Sequence, residues 1–205
     1  MRTPMEKGFC AMGTDAVVAR AALHLWEEPC ISGTRGTGAV FFSGCTLQCC
    51  YCQNWCISHE GEGQRVSARQ LADIFRSLEE EGAHSLSLIT ATQFLPAILE
   101  ALSLYRPRVP VVYNCGGFER VEVVWALADA VDVWLPDIKN HSPRLSKLLL
   151  GRGDYFQAAS AAVRQMCALS GPPQYDAQGI LTRGTLVRHL VIPGCATDSI
   201  QVLRF

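Results

Sequence analysis

The chain has 205 residues, of which 49% are hydrophobic and 18% are charged, and its formal net charge is −1. This length predicts one domain with a buried core, and the near-neutral charge gives no electrostatic basis for binding nucleic acid or an anionic membrane. No uncharged apolar run reaches the roughly 18 residues of a transmembrane helix, and residues 1–20 lack the apolar segment of a secretory signal. We therefore expect a cytoplasmic protein.

Short β-branched runs alternate with helical patterns along the chain, which favours βα units and a parallel sheet. The predicted strands are residues 38–42, 85–90, 109–113, 131–135 and 185–192. The predicted helices begin near Ser67, Leu95, Val121 and Tyr155. Ser67 is followed three residues later by Gln70, which is the pattern of a capping box. Residues 170–184 are rich in proline, glycine and polar side chains and predict a surface loop.

Each of the five predicted strands ends in a polar or glycine-containing loop. This α/β pattern fits either a parallel barrel or an open sheet, and periodicity does not choose between them. In both architectures ligands bind at the C-terminal ends of the strands.

Three of the ten cysteines follow the first predicted strand at short intervals, as Cys45-x-x-x-Cys49-x-x-Cys52. Thiolates are suitable ligands for iron–sulfur clusters and zinc. Three cysteines on one loop can bind three irons of a 4Fe–4S cluster and leave the fourth iron open for a substrate. Tyr51 would place an aromatic ring at the edge of such a cluster.

Two other interpretations of this loop remain open. A structural zinc site needs four ligands, and Cys50 or Cys56 could supply the fourth. Cys49 and Cys52 could also form a thioredoxin-like redox pair, although such a pair precedes a helix and has no third cysteine nearby. Cys50 and Cys56 are otherwise expected to be packing or incidental residues.

The cysteine spacing, with an aromatic residue before the last cysteine, resembles the signature of the radical S-adenosylmethionine (SAM) superfamily. The wider similarity runs from about residue 6 to residue 194 and looks closest to the branch that resembles the pyruvate formate-lyase activating enzyme. The matching stretches are ISGTRG at 31–36, FFSGC at 41–45, YCQN at 51–54, LPDIK at 135–139 and VRHLVIPG at 187–194. This resemblance implies a partial (β/α)6 TIM-like barrel.

The resemblance also implies a reaction. SAM would chelate the open iron, and an electron from the 4Fe–4S cluster would cleave it to a 5′-deoxyadenosyl radical that abstracts hydrogen. A reductant such as flavodoxin or ferredoxin would supply the electron, and a glycyl-radical protein is one candidate substrate. The alternatives are a non-catalytic iron–sulfur electron-transfer or scaffold protein and a zinc-binding protein.

Residues for binding SAM are expected at the strand ends. Asp137 and Lys139 follow the fourth strand. The resemblance implies that they bind the amino, carboxylate or ribose groups of SAM, and the alternative is that they form a solvated surface pair. Arg188 lies in an apolar run, where an unpaired guanidinium is costly to bury. The resemblance assigns it to SAM's carboxylate, and a salt bridge to Asp137 alone is the alternative. His189 is expected to be a packed histidine.

The recognition of SAM's amino group departs from the family pattern. Many relatives carry Gly-Gly-Glu after the second strand, whereas this strand ends at Thr90-Ala91-Thr92-Gln93. Thr90 and Thr92 are therefore candidate contacts through their hydroxyls, although threonines at strand ends often only cap turns. Asn114 is a further candidate and could equally be a turn residue.

The resemblance suggests a division of the chain into an N-terminal extension, residues 1–35, and a radical SAM core domain, residues 36–205. Relatives often carry a cysteine-rich segment ahead of the region that contains Cys10, and this sequence does not show it. Cys10 is therefore expected to be the remnant of an auxiliary site. The chain ends eleven residues after Gly194, so we expect the last βα unit of the barrel to be missing.

Overall fold

The computed structural model describes residues 7–205 as a mixed α/β fold. Its strands are β1 (Ala16–His24), β2 (Thr37–Phe42), β3 (Gln64–Val66), β4 (Leu86–Ile89), β5 (Val111–Cys115), β6 (Val133–Pro136), β7 (Gln174–Tyr175) and β8 (Leu181–Thr185). Its helices are α1 (Pro29–Ser32), α2 (Ala68–Glu80), α3 (Leu95–Leu104), α4 (Val121–Ala126), α5 (Pro143–Leu150), α6 (Tyr155–Ser170) and α7 (Ala196–Leu203).

All eight described strands belong to one sheet in the order β3-β1-β2-β4-β5-β6-β8-β7. The five central strands β2, β4, β5, β6 and β8 are parallel to their neighbours. At one side β1 pairs antiparallel with β2 and β3, and at the other β7 pairs antiparallel with β8. The predicted α/β class is confirmed, and the parallel part has the form of a partial TIM-like barrel that does not close.

The two faces of the sheet are buried in different ways. On one face, α2, α3, α4 and α6 cover an extended apolar core that includes Phe75, Tyr113 and Trp134. On the other, a smaller cluster from β5, β6, β8 and α1 includes Val112 and Leu135. Successive residues of one strand therefore point alternately to the helices and to the barrel interior.

All four predicted helix starts are confirmed, at Ser67, Leu95, Val121 and Tyr155. The Ser67 side chain accepts a hydrogen bond from the Gln70 amide at 3.3 Å, and the Gln70 side chain accepts one from the Ser67 amide at 2.9 Å. This reciprocal capping box begins α2. Helix α3 begins at Leu95 with Pro96 in its first turn, where the missing proline amide breaks no helical hydrogen bond.

Strand β1 was not predicted, and it lies within the segment expected to be an N-terminal extension. Residues Ala16–His24 nevertheless pair with β2 along its length and join the same sheet. The sequence AVVARAALH combines alanines and an arginine with few β-branched residues, so its local preference for a strand is weak. Pairing with β2 decides its conformation.

The predicted fifth strand, residues 185–192, is wrong in its bounds. The parallel strand next to β6 is β8, Leu181–Thr185, and together with β7 it occupies part of the predicted loop 170–184. Beyond Thr185 an isolated parallel bridge joins Asp137 to Arg188. Val187 and Val191 are 42% and 64% exposed, because no described strand packs on the far side of this segment.

The predicted third strand, 109–113, also ends later than expected. Strand β5 runs to Cys115 and includes Asn114, so Asn114 is a strand residue and not a turn residue.

No helix within residues 7–205 has both the length and the apolar character needed to span a bilayer.

Candidate active site

The cysteine loop leaves the C-terminal end of β2 through a tight turn at Gly44. Gly44 has a φ of 76°, a left-handed conformation that favours glycine. A Cβ at this position would lie 2.5 Å from the carbonyl oxygen of Cys10. The Gly44 amide donates to the carbonyl of Ile57 at 2.9 Å, so the start of the loop is tied to the segment that follows it.

The three predicted ligand cysteines lie together in a small apolar cluster. Cys49 is buried, Cys45 and Cys52 are partly buried, and Leu47 and Tyr155 pack with them. Burial raises the pKa of Cys49 to about 12, and the nearby Lys139 ammonium opposes this rise. Such a thiol becomes a thiolate when a metal replaces its proton, which fits a metal-binding role.

The three sulfurs do not form the compact group that a single zinc ion requires. A zinc ion with Zn–S bonds of about 2.3 Å requires sulfurs about 4 Å apart, but these three do not all lie within 4.8 Å of one another. Cys50 and Cys56, the candidate fourth ligands, are both exposed. Cys56 instead approaches Glu60 and Glu62 on the surface.

Tyr51 lies against the cysteines, as predicted for an aromatic residue at the edge of a cluster. Its ring packs in the same apolar cluster as Cys45 and Cys52. Its hydroxyl is buried and interacts with the Cys49 thiol, and burial raises the pKa of Tyr51 above its ordinary value. Tyr51 is thus in direct contact with a predicted ligand cysteine.

A polar network joins the ends of β5 and β6 to the segment after β8. Arg188 Nε donates to Asp137 Oδ1 at 3.0 Å, and Arg188 Nη2 donates to Asn114 Oδ1 at 2.6 Å. Lys139 Nζ donates to Asp137 Oδ2 at 2.7 Å. The structure thus brings together four of the predicted SAM-binding residues. With 15% and 22% of their side chains exposed, Lys139 and Asp137 are not a solvated surface pair.

Glu27 completes this network and was missed by the sequence analysis. Its carboxylate accepts from Arg188 Nη1 at 2.8 Å and from Asn114 Nδ2 at 2.9 Å. Arg188 is therefore not bound by Asp137 alone. The carboxylate of Glu28 also lies 3.9 Å from Arg188 Nη1. Three carboxylates therefore face the two cations of this network, which are Arg188 and Lys139. No local pattern marks Glu27, because its partners are distant in sequence.

Tyr155 fixes the loops that carry the network. Its hydroxyl accepts from the Lys139 amide at 2.9 Å and lies 2.9 Å from the Gly116 carbonyl and 3.0 Å from the Asp137 carbonyl. Gly117, in a left-handed conformation, allows the two loops to approach, since a Cβ there would lie 2.1 Å from the Asp137 carbonyl. The network and the cysteine loop meet at Lys139, whose charge acts on Cys49.

The side chains of Thr90 and Thr92, the two predicted threonine contacts, do not join the hydrogen bonds among Arg188, Asp137 and Lys139. Thr92 donates its hydroxyl to Glu119 Oε2 at 2.6 Å, and Glu119 is buried, which raises its pKa to about 7. Thr90 has a left-handed φ of 58°, and its amide donates to the Asn114 carbonyl at 2.9 Å. The Thr92 hydroxyl is thus already hydrogen-bonded to the carboxyl group of Glu119, which lies in the loop after β5.

Gln93 connects this region to the cysteine loop. Its Nε2 donates to the carbonyls of Ser43 and Gly44 at 2.9 and 3.0 Å, immediately before Cys45. His189, in contrast, is a packed residue as predicted: its ring nitrogens bond the Ile138 carbonyl and the Ser199 hydroxyl.

Three thiols and a network of cations and carboxylates thus adjoin at the C-terminal ends of parallel strands. This arrangement suits a metal cluster beside a ligand that bears charges of both signs. Residues 39–193 match the family model of the radical SAM superfamily. The chain belongs to this superfamily, and membership implies an enzyme with an iron–sulfur cluster and bound SAM.

Two individual proteins are similar to the chain. The uncharacterized protein MJ0674 of Methanocaldococcus jannaschii is 26% identical over 207 residues, which cover 95% of this chain and 56% of that protein. The chain therefore spans little more than half the length of that relative. The crystal structure of Streptococcus suis SuiB matches with a TM-score of 0.52 at 14% identity, over 79% of this chain and 34% of SuiB, which is a likeness of fold.

Proposed function

We propose that this chain is a radical SAM enzyme that holds a 4Fe–4S cluster on Cys45, Cys49 and Cys52. Three thiol ligands leave one iron without a protein ligand, and SAM would bind that iron. When bound, the cluster and SAM supply the electron and the 5′-deoxyadenosyl radical needed for hydrogen abstraction. The observation that carries this proposal is that the three thiols pack together in one apolar cluster. The Lys139–Asp137 ion pair is mostly buried, and the Lys139 charge acts on Cys49.

The charged network is suited to a ligand with an amino group and a carboxylate. We assign SAM's carboxylate to Arg188 and Lys139, because these cations already bind carboxylate oxygens in the structure. We assign the amino group or the ribose hydroxyls to Asp137 and Asn114, which present acceptor oxygens at the same strand ends. When SAM binds, these side chains would exchange hydrogen bonds to one another for hydrogen bonds to the ligand. Each charge therefore keeps a partner, and the large cost of burying an unpaired charge is avoided.

The residues around the cysteines would protect this chemistry. Leu47, Leu150 and Tyr155 are almost completely buried beside the thiols, so this side of the cluster is closed to water. Exclusion of water lowers the local dielectric, and burial is one of the factors that set the potential of an iron–sulfur cluster. Tyr51 would contact the bound cofactors from the same cluster of side chains.

For the substrate we propose hydrogen abstraction from a glycyl-radical protein, with flavodoxin or ferredoxin as the electron donor. Both proposals, and the assignment to the activating-enzyme-like branch, depend on the sequence motifs at residues 31–36, 135–139 and 187–194. They are tested separately from the cluster, by adding each candidate partner to the loaded protein.

The cluster assignment is tested by anaerobic reconstitution, iron and sulfide analysis, and measurement of 5′-deoxyadenosine after reduction in the presence of SAM. Cys49→Ala should abolish 5′-deoxyadenosine formation, since the substitution removes one cluster ligand. Cys167→Ala is the matched control, because Cys167 is an exposed cysteine on α6. Wild-type turnover in the Cys49 variant, or bound zinc in place of iron, would refute the proposal.

A further inference from the structure

The segment after the cysteine loop forms a single π-helical turn, Cys56–Glu60. Such turns are rare and often occur at functional sites, because the extra residue rotates the side chains that follow it. The turn ends at Gly61, which has a left-handed φ of 71°. It is held against the start of the cysteine loop by the bond from the Gly44 amide to the Ile57 carbonyl.

This turn directs Ser58 at the sulfur of Cys52. Ser58 is only 6% exposed, and its Oγ lies 3.2 Å from Cys52 Sγ. Its amide donates to the Asn54 carbonyl at 2.8 Å, which fixes the backbone that carries the hydroxyl. A buried hydroxyl held at this distance is placed to donate to the sulfur.

The Ser58 hydroxyl has a second polar neighbour, the imidazole of His59. His59 Nδ1 lies 2.7 Å from Ser58 Oγ, and the Trp55 ring stacks on the imidazole with centroids 3.6 Å apart. A hydroxyl carries a single hydrogen and two acceptor lone pairs. Ser58 can therefore donate to Cys52 and accept from His59, or donate elsewhere and leave the sulfur without this bond. The other acceptors are His59 Nδ1 and the Trp55 carbonyl, which is farther away at 3.5 Å.

We propose that Ser58 is a positioning residue that donates its hydroxyl hydrogen to Cys52 Sγ and thereby raises the reduction potential of the cluster. This inference rests on the proposed function, in which Cys52 is a ligand. An iron-bound thiolate carries negative charge, and hydrogen bonds to charged acceptors are stronger than those between neutral groups. Ser58 therefore donates its hydrogen to the sulfur. His59 then donates a hydrogen bond from Nδ1 to the Ser58 oxygen.

A hydrogen bond to a ligand sulfur stabilises the reduced cluster more than the oxidised one, because reduction adds negative charge. Removing it should lower the midpoint potential. For Ser58→Ala we expect a shift equivalent to about a tenfold change in the reduction equilibrium, which is about 59 mV for a one-electron couple.

The measurement is an anaerobic potentiometric titration of the reconstituted full chain, followed by the EPR signal of the reduced cluster. Ser58→Thr retains a hydroxyl and should keep a potential near that of the wild type. Ser103→Ala is the matched control, because Ser103 is exposed on α3 and donates only to the Glu100 carbonyl. Equal potentials in the wild type and Ser58→Ala would overturn the inference.

A second variant tests the direction of the bond and also serves if Ser58→Ala does not retain its cluster. His59→Phe keeps an aromatic ring for stacking on Trp55 but removes the Nδ1 donor, so a smaller downward shift is expected. An unchanged or higher potential would overturn the inference. Wild-type protein that binds no iron would refute the proposed function as well, whereas a normal cluster with an unmoved potential refutes the inference alone.

Discussion

Removal of a single buried hydroxyl, by Tyr155→Phe, tests how the loops of the charged network are held. Tyr155 has no exposed surface, and its hydroxyl contacts the Lys139 amide at 2.9 Å and the Gly116 carbonyl at 2.9 Å. Phenylalanine fills almost the same volume but leaves the partly buried Lys139 amide without this partner. The change therefore isolates the hydrogen bonds from the packing.

The expected loss follows from the cost of an unsatisfied buried donor, about 1–3 kcal/mol. A loss of about 2 kcal/mol corresponds to a fall in Tm of about 4–8 °C for a chain of this size. Urea unfolding followed by circular dichroism measures the free energy of unfolding directly. We also expect weaker SAM binding, because the same hydroxyl positions the segment that carries Asp137 and Lys139.

Tyr175→Phe is the matched control, since Tyr175 is 57% exposed on β7. The free energy of unfolding of this variant should lie within about 0.5 kcal/mol of the wild-type value, as is usual for surface substitutions. If Tyr155→Phe is equally close to the wild type, the Tyr155 hydroxyl does not hold the two loops, and our account of how the network is positioned is wrong.

Two further predictions concern stability. Burial raises the pKa of Glu119 from 4.5 to about 7, so the folded protein holds this proton more tightly than the unfolded chain and loses roughly 3 kcal/mol as the pH rises from about 4.5 to 7. The free energy of unfolding in urea, measured between about pH 5 and pH 8, should fall less for Glu119→Gln than for the wild type. The control Glu122→Gln, at an exposed position, should show the same fall as the wild type. Identical pH profiles for all three proteins would contradict this assignment. Ser67→Ala removes the capping box of α2 and should lower the free energy of unfolding by about 1 kcal/mol, whereas Ser103→Ala should not; equal effects would show that the cap contributes nothing specific.

The cysteine loop and the helix starts were predictable because their signals are local. The intervals between Cys45, Cys49 and Cys52 lie within eight residues, and the capping box of α2 needs only Ser67 and Gln70. Such signals involve residues that are close in the chain, so they can be recognised without knowing how distant segments pack. The superfamily and the α/β class followed from these signals and from the alternation of strands and helices.

The ends of the sheet were not predictable in the same way. The apolar residues after Thr185 have the composition of a strand, and Leu186 and Arg188 still bond to the backbone of β6. This pairing stops after Arg188, and Val187 and Val191 are exposed. Strand β1, with a weaker local signal, is ordered by pairing with β2. Whether a segment becomes a strand depends on a neighbour that can bond to it, and the local sequence does not contain that neighbour.

The sequence by itself determined the three thiols, their spacing, the class of fold and four side chains of the charged network. Only the tertiary structure decided that Glu27 binds Arg188, 161 residues away, that Glu119 binds Thr92, and that Ser58 lies against Cys52 through a π-helical turn. Charged and polar side chains are expensive to bury without partners. Which partners they find depends on how the folded chain brings distant segments together, and no local pattern records it.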